Sequence, residues 1–221
     1  MTEERKQVDV SVERLKNLQV DPYIFQTVHA DRMGKRLSDA EIKRKIELAK
    51  EMAFDLVKHY RETLGLRSVD ALVDYLDLSV VYRSEKIEDY FAIIGFFESP
   101  NRIVVNDLYR ENDAFWLEHQ KPEWAFDQWS AVSVAHEAFH AIQEKEGLDL
   151  SEFEIELWQF AGFKKHSPVN VLIEVVANYF AQAFTGFAYY PALLDNIALM
   201  PIYPEAIHSQ VEALAQGQEL A

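Results

Sequence analysis

Residues 129–147 run Trp-Ser-Ala-Val-Ser-Val-Ala-His-Glu-Ala-Phe-His-Ala-Ile-Gln-Glu-Lys-Glu-Gly, from Trp129 to Gly147. Val132, Ala135, Phe139 and Ile142 recur at helical spacing and Gly147 supplies a stop, which predicts a helix over about 127–146. His136 and His140 stand four residues apart, one turn of that helix, so both imidazoles project from one side and can grip a single metal ion. Glu137 is offset from His136 by about 100° on the same helix. There its carboxylate misses the ion yet reaches a water bound to it. On this reading zinc brings the pKa of that water to about 7, and Glu137 takes its proton as it attacks a carbonyl.

A catalytic zinc site needs a third protein ligand and keeps a fourth position open. A further histidine six residues after His140 is absent, because Gln143 and Glu146 fill the places of the longer His-Glu-x-x-His motif. Glu174 is the one carboxylate in the apolar run that follows Pro168, among Val171, Leu172, Ile173, Val175, Val176 and Ala177. A lone glutamate in such a helix is costly to bury without a partner, and a metal ion would be that partner. His166 is the competing third ligand. Asn178 lies one turn after Glu174 and could hydrogen-bond a ligand. Tyr109, Tyr179, Tyr189, Tyr190 and His166 are the candidate oxyanion donors. His29, His59, His119 and His208 are scattered and read as ordinary surface residues.

Outward from this segment the chain reads as one α+β domain over residues 38–221 behind a polar, partly ordered lead-in at 1–37. Ser38 and Glu41 form a capping box for a helix to about Glu62, and Ser68 caps a shorter one to Leu76. The period then changes. Leu78 to Tyr82, Tyr90 to Phe97 and Arg102 to Asn106 are rich in β-branched and aromatic residues, with the turn Ser99-Pro100-Asn101 between the last two. They predict a small antiparallel sheet of about three strands, and the strand near Ile103 could be an edge that pairs with an extended substrate. Residues 108–127 read as a polar loop with short helical turns. Ser151 and Glu154 suggest a second capping box and a helix to about Phe160. Ser167 and Pro168 open the long helix that Gly186 stops, and shorter helices begin at Pro191 and Pro204.

The stretch Glu174-Val175-Val176-Ala177-Asn178-Tyr179-Phe180-Ala181 resembles the Glu-x-x-Ala-Asn-x-Phe-Ala helix of the ImmA/IrrE zinc metallopeptidases. The order upstream is similar as well. Val69 to Leu76 resembles the helix before that family's first strand, and Gly95-Phe96-Phe97 with Ile103-Val104-Val105-Asn106 resembles its strand pair. The resemblance covers about residues 42–190. It implies a zincin-like fold with His136, His140 and Glu174 as zinc ligands and Glu137 as general base. It also implies a cytoplasmic peptidase that cleaves a regulatory protein, typically a transcriptional repressor. Two positions depart from the family pattern: Phe139 stands where glycine is common before the second histidine, and Phe184-Thr185-Gly186 replaces a Leu-Met-Pro ending.

Composition narrows the function further. Lys and Arg total 22 against 37 Asp and Glu, a net charge of −15 that repels phosphate and argues against a nucleic-acid partner. The most basic stretch, Arg32 to Lys45, is interrupted by Asp39 and Glu41 and reads as a solvated helix start. There is no cysteine, which excludes disulfides, thiolate metal sites and a cysteine nucleophile and fits a reducing compartment. Residues 1–6 are charged with no apolar core behind them, so no signal peptide is expected. The uncharged stretches near 187–203 are broken by Pro191 and Pro201 and fall short of the roughly 20 residues a membrane span needs. The expectation is a soluble, cytoplasmic zinc-dependent endopeptidase acting on a protein or peptide. The alternative is a catalytically inactive, zinc-stabilised protein-binding module.

Overall fold

The structure, a computed structural model, describes residues 3–86, 93–160 and 163–219. It opens with helices α1 (Glu3–Lys16) and α2 (Val20–Ala30), where the sequence suggested a partly ordered lead-in. Val8, Val12 and Leu15 on α1 and Ile24 and Val28 on α2 are buried. The partner of α1 is the last helix, α9 (Pro204–Glu219), joined to it by the pair Ser11 Oγ and His208 Nδ1 at 2.8 Å and by Arg14 and Glu212 at 2.6 Å. That partner lies at the far end of the chain, so local periodicity gave the first helix little weight.

Helix α3 (Asp39–Lys58) starts on the expected capping box: Ser38 Oγ accepts from the Glu41 amide and the Glu41 carboxylate accepts from the Ser38 amide. It buries Ile42, Ile46, Ala49 and Ala53 and ends in one wider π turn over His59–Thr63. Helix α4 (Val69–Tyr75) follows on its Ser68 cap. Three strands come next: β1 (Ser79–Tyr82), β2 (Gly95–Glu98) and β3 (Arg102–Val105), in the spatial order β1-β3-β2. Residues 90–92 of the expected second strand lie outside the described residues. The β2–β3 pair is an antiparallel hairpin, but β1 runs parallel to β3, so the sheet is mixed rather than antiparallel. The tight turn at 99–101 dictates the first pairing. The second joins two strands that have β2 between them in the sequence, so no local signal sets its direction.

Residues 107–124 form short 3-10 turns around α5 (Asp113–Glu118). Helix α6 (Phe126–Glu146) then ends at Gly147, whose φ of 62° is the left-handed conformation glycine takes easily. The helix expected at 151–160 is instead a strand. After one 3-10 turn at Ser151–Phe153, β4 (Glu154–Phe160) pairs with β5 (Phe163–Pro168) as an antiparallel hairpin. The cause is legible in Glu154-Ile155-Glu156-Leu157-Trp158, which alternates with period two, and Ile155 is buried while Glu156 is exposed. Helix α7 (Asn170–Thr185) starts two residues later than expected, since Pro168 belongs to β5 and Val169 is the N-cap. A turn at Pro191–Leu193 and helix α8 (Leu194–Leu199) lead to α9.

The protein is α+β and mostly helical. Helix α7 packs against both α3 and α6, and β2 and β3 also pack on α6. Phe180 on α7 joins the layers, with its ring 6.0 Å from Phe139 and 6.2 Å from Tyr60. Among the described residues no helix is long and apolar enough to cross a membrane.

Candidate metal centre

Burial of Val132, Ala135, Phe139 and Ile142 fixes the rotation of α6, and the two histidines beside that stripe meet α7. Glu174 stands in the first half of α7, where Leu172, Ile173, Val175, Val176 and Ala177 are all buried. The packing brings the three side chains together. His136 Nε2 lies 3.1 Å from one Glu174 oxygen and His140 Nε2 lies 3.6 Å from the other. The two Nε2 atoms are 3.4 Å apart. Ligand atoms around a tetrahedral ion bound at about 2.05 Å are about 3.3 Å from one another, and the three residues stand near that spacing. This group can bind a metal ion, and among the described residues no other group of three has its donor atoms so close.

The cluster is held together electrostatically. Burial alone would raise the Glu174 carboxyl, but hydrogen bonds from His136 and His140 outweigh it and hold that carboxyl well below the usual range. Burial works against the charged form of His140, and the Glu174 carboxylate overcomes it and raises the imidazole. His140 Nδ1 faces Gln143 Oε1 at 3.4 Å. A proton on Nδ1 is thereby satisfied, and the Nε2 lone pair is left for an ion.

Glu137 takes no part in that triangle. It is buried, at 8% exposure, and its carboxylate accepts from the Phe97 amide of β2. Burial raises its carboxyl, with His136 and His140 pulling the other way. Gly95, two residues before Phe97, lets β2 lie close on α6: a Cβ there would meet Ser133 Oγ at 2.6 Å.

A pocket of about 520 Å³ opens beside the cluster and includes His136, Glu137 and Glu174 in its lining. Ile24, Val132, Val175 and Leu194 form apolar walls, and Tyr190 and Asp195 line it as well. The Asp195 side chain is open to the pocket although protein surrounds it. Burial pushes its carboxyl up to about 6, against the pull of His136 and with added repulsion from Glu174.

The remaining sequence candidates fall in different places. Asn178 is buried, but its Nδ2 donates to the Glu174 main-chain oxygen at 2.8 Å and not to the carboxylate. Of the five oxyanion candidates only Tyr190 lines the pocket, and the Tyr179 hydroxyl donates to Asp21 instead. His166 sits on β5 opposite Glu156, away from the cluster. Ile103 lies on the central strand, and among the described residues the edge strand that packs on α6 is β2. Three participants escaped the sequence. The Phe97 amide has no side-chain signature. Asp195 is brought in by a distant helix. Gln143, one turn after His140, could have been found from its spacing.

Comparison with family models, with curated proteins and with solved structures returns no match.

Proposed function

We propose that the protein is a zinc-dependent endopeptidase of zincin-like fold, of the kind the ImmA/IrrE resemblance implies. It would act in the cytoplasm on a regulatory protein such as a transcriptional repressor. The observation that carries this reading is Glu137: a buried carboxylate beside a three-residue metal cluster, outside the triangle of ligand atoms, and open to the same pocket. A purely structural site is normally closed by a fourth protein ligand and has no use for that carboxylate.

His136, His140 and Glu174 would hold the ion through both Nε2 atoms and the carboxylate. Bound there, zinc supplies Lewis acidity that polarises the scissile carbonyl and lowers the pKa of water to about 7. Glu137 takes the proton of the attacking water and passes it to the departing amine nitrogen. Burial raises its carboxyl, which suits a group that must accept a proton and then release it. Gln143 keeps the His140 ring oriented. Burial holds the Tyr190 hydroxyl well above its ordinary pKa, so it stays protonated and able to donate to a developing oxyanion.

The test is Glu137→Gln, assayed by metal analysis and by peptide hydrolysis. The variant should bind one zinc ion like the wild type and lose about two to four orders of magnitude in turnover, the usual worth of a general base. Loss of zinc from this variant, or hydrolysis at the wild-type rate, would refute the assignment.

A further inference from the structure

Asp195 is the acidic group of the pocket that this chemistry leaves unused. Among the described residues its side chain makes no hydrogen bond. The charged side chains acting on it are His136 and Glu174, which belong to the metal cluster. The pocket that holds it has apolar walls in Ile24, Val132, Val171 and Val175, with the polar groups of Tyr23, Thr27 and Asn178 also in its lining, and Asp195 acts on the nearby Tyr23 hydroxyl. At about 520 Å³ it has the size of a small-ligand site.

Two requirements follow for whatever fills this space. Its stem must be apolar to lie along those walls. Its tip must satisfy a carboxylate, because an apolar occupant would seal Asp195 away from water without a partner. An acidic tip would be repelled by Asp195 and Glu174 together. A long aliphatic stem ending in a cation meets both conditions, and that is the side chain of lysine or arginine. The net charge of −15 also draws basic segments toward the protein.

We propose that this pocket is the specificity site for a lysine or arginine of the substrate next to the scissile bond, with Asp195 reading its charge. The proposal rests on the peptidase reading and names the substrate class that reading leaves open. The pocket shares His136, Glu137 and Glu174 with the metal cluster, so a side chain seated there places its own peptide bond at the cluster.

Two measurements test it. In the first, the zinc-loaded protein digests a library of peptides generated by cleavage after glutamate, and the new termini are read by mass spectrometry. Lysine and arginine should be enriched about tenfold at one position beside the cut bond, the gain of one charge-assisted pair. Asp195→Asn should abolish the enrichment, Asp195→Glu should keep it, and Asp195→Lys should turn it toward acidic residues. In the second, N-acetyl-arginine amide and N-acetyl-norleucine amide are titrated by NMR into zinc-loaded Glu137→Gln protein. The arginine compound should bind about tenfold tighter, and adding Asp195→Asn should remove the difference. Zinc stoichiometry and circular dichroism identify folded variants; if Asp195→Asn fails that check, Asp195→Ser takes its place. Cleavage beside apolar residues, or equal binding of the two amides, overturns the pocket assignment alone. Selective binding of the arginine amide with no peptide cleaved by the wild type overturns the peptidase reading alone.

Discussion

Gly95 sets how closely β2 lies against the helix that carries both histidines, and replacing it by alanine perturbs the site without touching a metal-binding side chain. The added Cβ would stand 2.6 Å from Ser133 Oγ, 3.0 Å from the Val104 carbonyl oxygen and 3.6 Å from Glu137 Cγ. The first distance is well inside van der Waals contact. Ser133 can relieve part of it by rotating about χ1, although the residue is buried. The Val104 carbonyl belongs to the paired strand β3 and cannot move without disturbing the ladder. Alanine normally gains about 0.5–1 kcal/mol over glycine within a strand. Here overpacking should reverse the sign and cost about 1–3 kcal/mol.

A double-mutant cycle isolates the cause. Ser133→Ala removes the clashing oxygen, so the pair Gly95→Ala and Ser133→Ala should recover about 1 kcal/mol relative to the sum of the single changes. Urea titration of the metal-free protein measures this through the midpoint at constant slope. Zinc affinity should hold, because none of the three cluster side chains is among the atoms nearest that Cβ. Hydrolysis should fall, because a displaced β2 carries the Phe97 amide away from Glu137. A Gly95→Ala protein as stable as the wild type, or single costs that add within about 0.5 kcal/mol, would refute the packing argument.

Three further changes probe the frame around the site. Zinc at a hundredfold excess over its dissociation constant should stabilise the wild type by about 2.7 kcal/mol, and Glu174→Ala should lose most of that gain in a thermal melt at the same zinc concentration. In the metal-free protein, Glu174 is held below its ordinary value of 4.5, so its contribution is present above that pH and disappears as pH falls through the lowered value. His140 is raised above 6.5, so its contribution is full below 6.5 and disappears as pH rises through the raised value. Metal-free stability from this pair should therefore peak between 4.5 and 6.5 and decline on both sides, and a flat urea-midpoint profile from pH 4 to 9, or one unchanged by His140→Gln, would contradict the assignment. The Tyr60 hydroxyl donates to Glu146 at 2.7 Å and ties the end of α3 to the end of α6; Tyr60→Phe should cost about 1 kcal/mol by urea titration.

The parts of the fold that sequence reached are those whose cause is local. The capping box at Ser38 and the glycine stop at Gly147 gave the start of α3 and the end of α6 nearly to the residue, since the atoms that close those two ends lie within four positions of them. The same local logic misled at Ser151. A serine with a glutamate three residues on satisfies the box pattern, yet the alternation from Glu154 to Trp158 shows that the following residues pair across a hairpin. The direction of β1 and the order of α1 were out of reach for the opposite reason, because both depend on partners far along the chain. The cluster itself was legible because its chemistry is unusual at each position: two histidines one turn apart, and a single charge in an apolar helix. Asp195 carries no such mark. It is one aspartate near the start of a short helix, and only the packing of α8 against the pocket gives it a role.

Glu174 links the metal cluster to the pH dependence of the fold. The sequence expected a metal ion to partner a buried Glu174; in the structure the carboxylate is half exposed, toward the pocket, with both imidazoles beside it. In the metal-free protein the two imidazoles lower Glu174, and the Glu174 carboxylate in turn raises His140. A proton on His140 is thus favoured beside Glu174, and the three side chains stand near the spacing a metal ion would need. Such preorganisation has a consequence for affinity: the ion must displace that proton, so its binding strengthens as pH rises through the raised His140 value, while the stability of the metal-free protein falls over the same range. The two slopes come from one set of residues and must change together. A His140→Gln protein that loses one slope and keeps the other would show that the cluster is not a single site.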